Sequence, residues 1–126
     1  MIQILSSLMM ALALVVASPE AQQAYDEFDD WEITSDKTVD GVRKVHAIPS
    51  SAVCSQGIDL EIAVKGHVIR KVKFFRGCPG NTLGVATLLE GMTVENAIKK
   101  LEGIPCSGRA TSCPDQLARV MKALKW

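Results

Sequence analysis

Residues 58–75 hold the feature that most limits what this chain can fold into: an alternating apolar run, a turn signal, and a returning apolar run. Ile58, Leu60, Ile62 and Val64 alternate with Asp59, Glu61 and Ala63, the period of a strand buried on one face. Lys65-Gly66 supplies a tight turn, and residues 67–75 return as the antiparallel partner. A regular two-residue hairpin would set Leu60 opposite Lys71 and force a lysine onto the apolar face. One extra residue near Arg70-Lys71 restores Leu60 opposite Val72, Asp59 opposite Lys73 and Ile58 opposite Phe74. The sequence therefore predicts a β-bulge there.

The apolar face of such a hairpin needs a cover, and the flanking sequence provides it. Val42–Ile48 reads as a further strand, and residues 49–55 as a loop carrying Cys54. Downstream the period changes from 2 to 3.6. A first helix spans residues 79–90 and stops at Gly91. A second is capped by Thr93, turns Val94, Ala97, Ile98 and Leu101 inward, and stops at Gly103. Residues 104–112 form a loop with Cys106. A last helix opens at Cys113-Pro114-Asp115 and buries Leu117, Val120, Met121 and Leu124. The expected class is α+β, a small antiparallel sheet with three helices packed on one face. No internal repeat occurs.

The 126-residue chain is electrically neutral as a whole but not evenly so. Residues 1–36 carry seven acidic side chains and no Lys or Arg, whereas residues 37–126 carry seven acidic and all fourteen basic ones. That asymmetry divides the chain into an N-terminal extension, 1–36, and a four-cysteine domain, 37–126, joined by a polar linker over residues 34–41. The ordinary meaning of the charge split is two differently solvated surfaces; the sharper one is an acidic arm that docks on the basic domain. Residues 2–17 are apolar apart from Gln3, Ser6 and Ser7. This run falls short of the roughly 20 residues that span a bilayer. It also lacks the basic start of a secretory signal, the first lysine being Lys37. Ser18-Pro19-Glu20 resembles a helix start, and Ala21, Ala24, Tyr25, Phe28 and Trp31 recur at helical spacing. The expectation is an N-terminal helical extension, offering a route to a homodimer, on a cytoplasmic protein that does not enter the membrane. Export by an atypical signal cleaved after Ala17 is the alternative.

The compartment decides what Cys54, Cys78, Cys106 and Cys113 mean: two disulfides in an exported protein, metal or redox chemistry in a reducing one. No Cys-x-x-Cys pair occurs, so spacing alone says little. Context says more. Cys78 and Cys113 each precede a proline that opens a helix, where the positive end of the helix dipole favours the thiolate that ligates metal. Four thiolates make a closed tetrahedral zinc site, and an iron–sulfur cluster takes the same ligands. Buried, inert thiols are the plain alternative. His46 and His67 read as strand-end and turn residues and weaker substitutes as ligands. Arg109, between two cysteines, with Lys71 and Lys73 near the sheet, forms a weak candidate set for an anion or nucleotide phosphate, against the plain reading of a solvated face. No Walker loop, dinucleotide fingerprint, Ser/His/Asp set or zinc-protease motif is present. Aromatics, at 5% of residues, are too sparse for a nucleic-acid stacking platform, so direct nucleic-acid binding is not expected.

Gly77-Cys78-Pro79-Gly80-Asn81, Leu89-Glu90-Gly91-Met92, Cys106-Ser107-Gly108-Arg109 and Thr111-Ser112-Cys113-Pro114-Asp115-Gln116-Leu117-Ala118 resemble the TSCPD domain. The resemblance extends from Val42 almost to the end and includes four matching cysteines; residues 1–36 depart from the pattern. It implies a thiolate metal site on Cys54, Cys78, Cys106 and Cys113, with zinc as the expected metal. The same domain closes adenosylcobalamin-dependent ribonucleotide reductases, which implies a role in deoxynucleotide metabolism. This chain has no room for the reductase's catalytic barrel, radical site or cobalamin pocket, so the implied role is accessory: docking to, or thiol exchange with, a ribonucleotide reductase or another redox protein. A more distant likeness is to U-type iron–sulfur scaffolds, with Cys54, Cys78 and either Cys106 or Cys113 as counterparts. There the usual Cys-Gly-Asp is replaced by Cys54-Ser55-Gln56. An iron–sulfur carrier, a thiol-redox protein and a secreted disulfide-stabilised domain are the competing functions.

Overall fold

The computed structural model describes residues 27–126. Four strands, β1 (Glu32–Val39), β2 (Val42–Ile48), β3 (Gly57–Ala63) and β4 (Val68–Phe75), form one antiparallel sheet in chain order. The register of β3 and β4 is the one that the apolar phase demands. Ile62 pairs with Ile69, but Glu61 pairs with Lys71, Leu60 with Val72, Asp59 with Lys73 and Ile58 with Phe74. Arg70 is thus the extra residue of a bulge, and it points to solvent. The turn is a short 3-10 segment, Lys65–His67, in which Gly66 takes φ 79°, a conformation that costs glycine little.

The stretch read as a linker, residues 34–41, is instead most of β1 and its turn, and β1 runs through residues 36 and 37. Two physical reasons hid it. As an edge strand it needs only one strong apolar anchor, Ile33, so alternation is faint. Its bulge between Ile33 and Ser35 also breaks the phase. The readable signal was Asp40-Gly41, whose φ values of 51° and 77° make the two-residue hairpin turn that this dipeptide favours. Trp31, assigned above to a helical stripe, directly precedes β1 in irregular backbone and packs against the core. Ala21, Ala24, Tyr25 and the apolar run 2–17 lie outside the described residues.

Three helices follow: α1 (Pro79–Leu89), α2 (Val94–Leu101) and α3 (Cys113–Ala123). Thr93 and Ser112 cap α2 and α3, their hydroxyls accepting from the backbone N–H of Asn96 and Asp115. Val45, Ala47, Ile58, Leu60, Ile62, Ile69 and Val72 form the sheet's share of one aliphatic core. The helices supply Ala86, Leu89, Val94, Ala97, Leu101, Leu117, Val120 and Met121. Each fully buried Leu or Ile contributes roughly 1.5–3 kcal/mol, which is what holds so small a sheet to its helices. Lys44, Asp59, Glu61, Lys71 and Lys73 alternate with those core positions and face away from the helices.

Candidate functional site

The ends of β3 and β4 set down the first two cysteines. Cys54 lies in the loop before β3, and Cys78 is the N-cap residue of α1, three residues after β4 ends. The two segments touch. Gly77, at φ 111°, brings its backbone so close that a side-chain Cβ there would stand 3.5 Å from the Ser55 nitrogen and 3.3 Å from the Thr82 methyl. The backbone conformation is what calls for glycine before Cys78, and the Thr82 methyl would also have to give a little to admit a side chain. Cys106 heads a tight reversal in which Cys106 and Arg109 exchange both backbone hydrogen bonds, at 3.2 and 2.9 Å, across Ser107 (φ 50°) and Gly108 (φ 78°). Cys113 is the first residue of α3, behind the Ser112 cap.

All four cysteines are free thiols; Cys113 is half-buried and the others are exposed. They come from four separate stretches of chain, yet all line one cavity of about 180 Å³. Its remaining wall is largely apolar, with Val53, Phe74, Val85 and Ile104 among its residues. Arg109 also lines it, and its Nη1 donates to the Ala52 carbonyl oxygen at 2.5 Å. That bond ties the Cys106 reversal to the loop carrying Cys54. Among the described residues, no three His, Cys, Asp or Glu side chains stand together in an arrangement that would already hold a metal ion.

The weaker candidates separate from this cavity. Lys71 and Lys73 lie on the face of β4 turned from the helices, Lys73 with its Nζ 4.8 Å from the centre of the Phe75 ring. Arg109 is thus not joined with them in one anion site. His46 shares a 2.5 Å hydrogen bond with Asp59 on the same open face. His67 stacks on Trp126 with ring centroids 3.9 Å apart. Neither histidine lines the cysteine cavity.

A buried polar cluster beside the cavity escaped the reading of the sequence. Thr111, Asp115 and Gln116 are fully buried and Arg119 nearly so. Asp115 accepts from the Gly103 N–H at 2.7 Å, the Thr111 hydroxyl at 2.6 Å and Arg119 Nε at 2.9 Å. Arg119 also donates to Asp29, just ahead of β1, at 2.9 Å. Burial pulls the Arg119 guanidinium down, but the carboxylates of Asp29 and Asp115 more than reverse this, leaving its pKa above the ordinary value. The available signal was the i, i+4 spacing of Asp115 and Arg119 on a helix with an apolar inner face.

The family model of the TSCPD domain matches residues 29–125, while no curated protein and no solved structure matches the chain. None of the described helices is long and apolar enough to cross a membrane.

Proposed function

The chain belongs to the TSCPD domain family, and from that premise we propose that it is a small thiolate metal-binding module with zinc as its metal. The observation that carries this is the convergence of Cys54, Cys78, Cys106 and Cys113 on one cavity. Sulfur donors in that number suit a closed structural zinc site. The fit is one of donor chemistry and location. Since no three donors are yet grouped, ligation must draw the thiols inward, and residues 104–110, all exposed, are the segment freest to follow. Ser55, next to Cys54, buries its hydroxyl without a hydrogen-bond partner among the described residues. Such an orphan costs about 1–3 kcal/mol, and a thiolate drawn close would relieve it. Bound zinc would fasten the loops carrying Cys54 and Cys106 to the starts of α1 and α3. The domain would then present a fixed surface to a partner. In this reading the partner is a ribonucleotide reductase or another redox protein, and the setting is the cytoplasm.

A second reading is favoured by the exposure of Cys54, Cys78 and Cys106 as free thiols: exchange with a disulfide, or carriage of an iron–sulfur cluster. One preparation separates these. The full chain is purified without added metal and assayed for metal content, visible absorption and free thiols. About one zinc per chain in a colourless sample supports the proposal. A brown chromophore supports the cluster reading. Metal-free protein with four reactive thiols refutes the zinc centre, and metal-free protein with none points to a disulfide-stabilised domain.

A further inference from the structure

Besides its bonds to the Phe28 carbonyl and to Asp29 ahead of β1, the buried polar cluster on α3 reaches the ends of two chain segments that carry cysteines. Asp115 Oδ1 accepts from the Gly103 N–H and its Oδ2 from the Thr111 hydroxyl, so one carboxylate grips both ends of the segment that contains Cys106. Thr111 is also two residues from Cys113. Gln116 Oε1 accepts from the Ser50 N–H at 2.9 Å, at the base of the loop that carries Cys54. Gln116 Nε2 donates to the Thr111 hydroxyl at 3.0 Å, which joins the two halves of the cluster. None of these bonds reaches the segment carrying Cys78.

We infer that Asp115, acting through Thr111 and Gly103, is the positioning residue of the cysteine site, holding the Cys106 and Cys113 thiols at the cavity. This rests on the reading of the cysteines as a metal centre. A carboxylate with 0% exposure can fix the two ends of this loop, at Gly103 and Thr111, because its bonds are made in a water-excluded setting, while residues 104–110 between them keep the freedom to close on a metal. Groups that orient ligands from behind typically change metal affinity about 10–100-fold when removed. Thr111 is the cleaner handle. Thr111→Val keeps shape and loses the hydroxyl that donates to Asp115 and accepts from Gln116, whereas Thr111→Ser keeps it.

The test uses the full chain, titrated with cobalt(II) and followed by thiolate-to-metal absorption, with the fold of each variant checked by circular dichroism. Asp115→Asn and Thr111→Val are expected to weaken cobalt binding about 10–100-fold, while Thr111→Ser stays near the parent. If Asp115→Asn fails to fold, the Thr111 pair carries the test. Thr111→Val binding cobalt as tightly as the parent overturns the inference. A parent chain that takes no cobalt through its thiolates sinks the metal reading instead. In that event alkylation by iodoacetamide, read by mass spectrometry, still decides the positioning. Thr111→Val should speed alkylation of half-buried Cys113 and leave Cys78 unchanged; equal acceleration at both, or none, overturns it.

Discussion

Deleting Arg70 should leave the domain folded, although it removes a residue from the middle of a strand. Ile62 faces Ile69 and Glu61 faces Lys71, so Arg70 is the one residue of β4 without an opposite number. Its excision leaves every cross-strand pair from Ile62–Ile69 to Ile58–Phe74 in place and converts a bulged ladder into a regular one. The expected cost is within about 1 kcal/mol, the scale of a surface change away from core and caps. Deleting Lys73 is the control, because it shortens the strand beyond the bulge. If the pairs before it hold, Phe74 turns to the open face and leaves the cysteine cavity. If the bulge is absorbed instead, Lys71 falls opposite Leu60, and Val72, only 6% exposed, leaves the core. Either outcome forfeits roughly 1.5–3 kcal/mol of apolar burial. Forcing a lysine inward adds a desolvation cost of similar size or larger. The first outcome thus costs about 1.5–3 kcal/mol and the second about 3–6 kcal/mol, and either is a sizeable share of the roughly 5–15 kcal/mol that keeps an ordinary domain folded. Urea unfolding of the parent and both deletions measures this. Equal destabilisation by the two deletions, or tolerance of the loss of Lys73, would refute the phase argument.

Three further outcomes follow from the same packing and charges. Leu117→Ala, at a position with 0% exposure under the sheet, should lower stability by about 2–5 kcal/mol in the same urea assay; a loss under about 1 kcal/mol would mean the helix layer is loosely seated. Arg43 donates two hydrogen bonds to Asp36 and, with burial opposing, holds its carboxyl below the ordinary value; the Ser50 hydroxyl does the same for Asp30. A carboxyl depressed on folding stabilises above its unfolded pKa and stops doing so as pH falls through the folded one. Stability should therefore decline below about pH 4, and Asp36→Asn should remove part of that decline. With Asp36 34% exposed, its share is no more than about 1 kcal/mol, and an Asp36→Asn acid profile identical to the parent's contradicts it. Cys113→Ser should reduce zinc retained through dialysis at least as much as Cys54→Ser, because Cys113 sits on the rigid start of α3; full retention by either variant removes that cysteine from the ligand set.

What was legible in the sequence follows from where the determining forces act. The β3–β4 register could be derived to the residue, since it depends only on matching two apolar phases, and one insertion reconciles them. Helix starts at Thr93 and around Cys113 were legible because a cap is a local bond between residues three apart, as Thr93 with Asn96 and Ser112 with Asp115. β1 was not, because an edge strand is made by its neighbour. Its pairing with β2 and the Arg43–Asp36 bonds supply what its own alternation lacks. The site divides along the same line. That Cys78 and Cys113 open helices is a local fact and could be read. That Cys54 and Cys106 join them depends on contacts such as Arg109 to Ala52, 57 positions apart in the chain, and Ser50 to Gln116, 66 apart. The buried Asp115 lay in plain view within the motif, but as a helix-start acid, a role any exposed aspartate could fill. Its second role appears only when Gly103 and Thr111 are brought against it, so the residues that hold the cysteines together are less legible than the cysteines themselves.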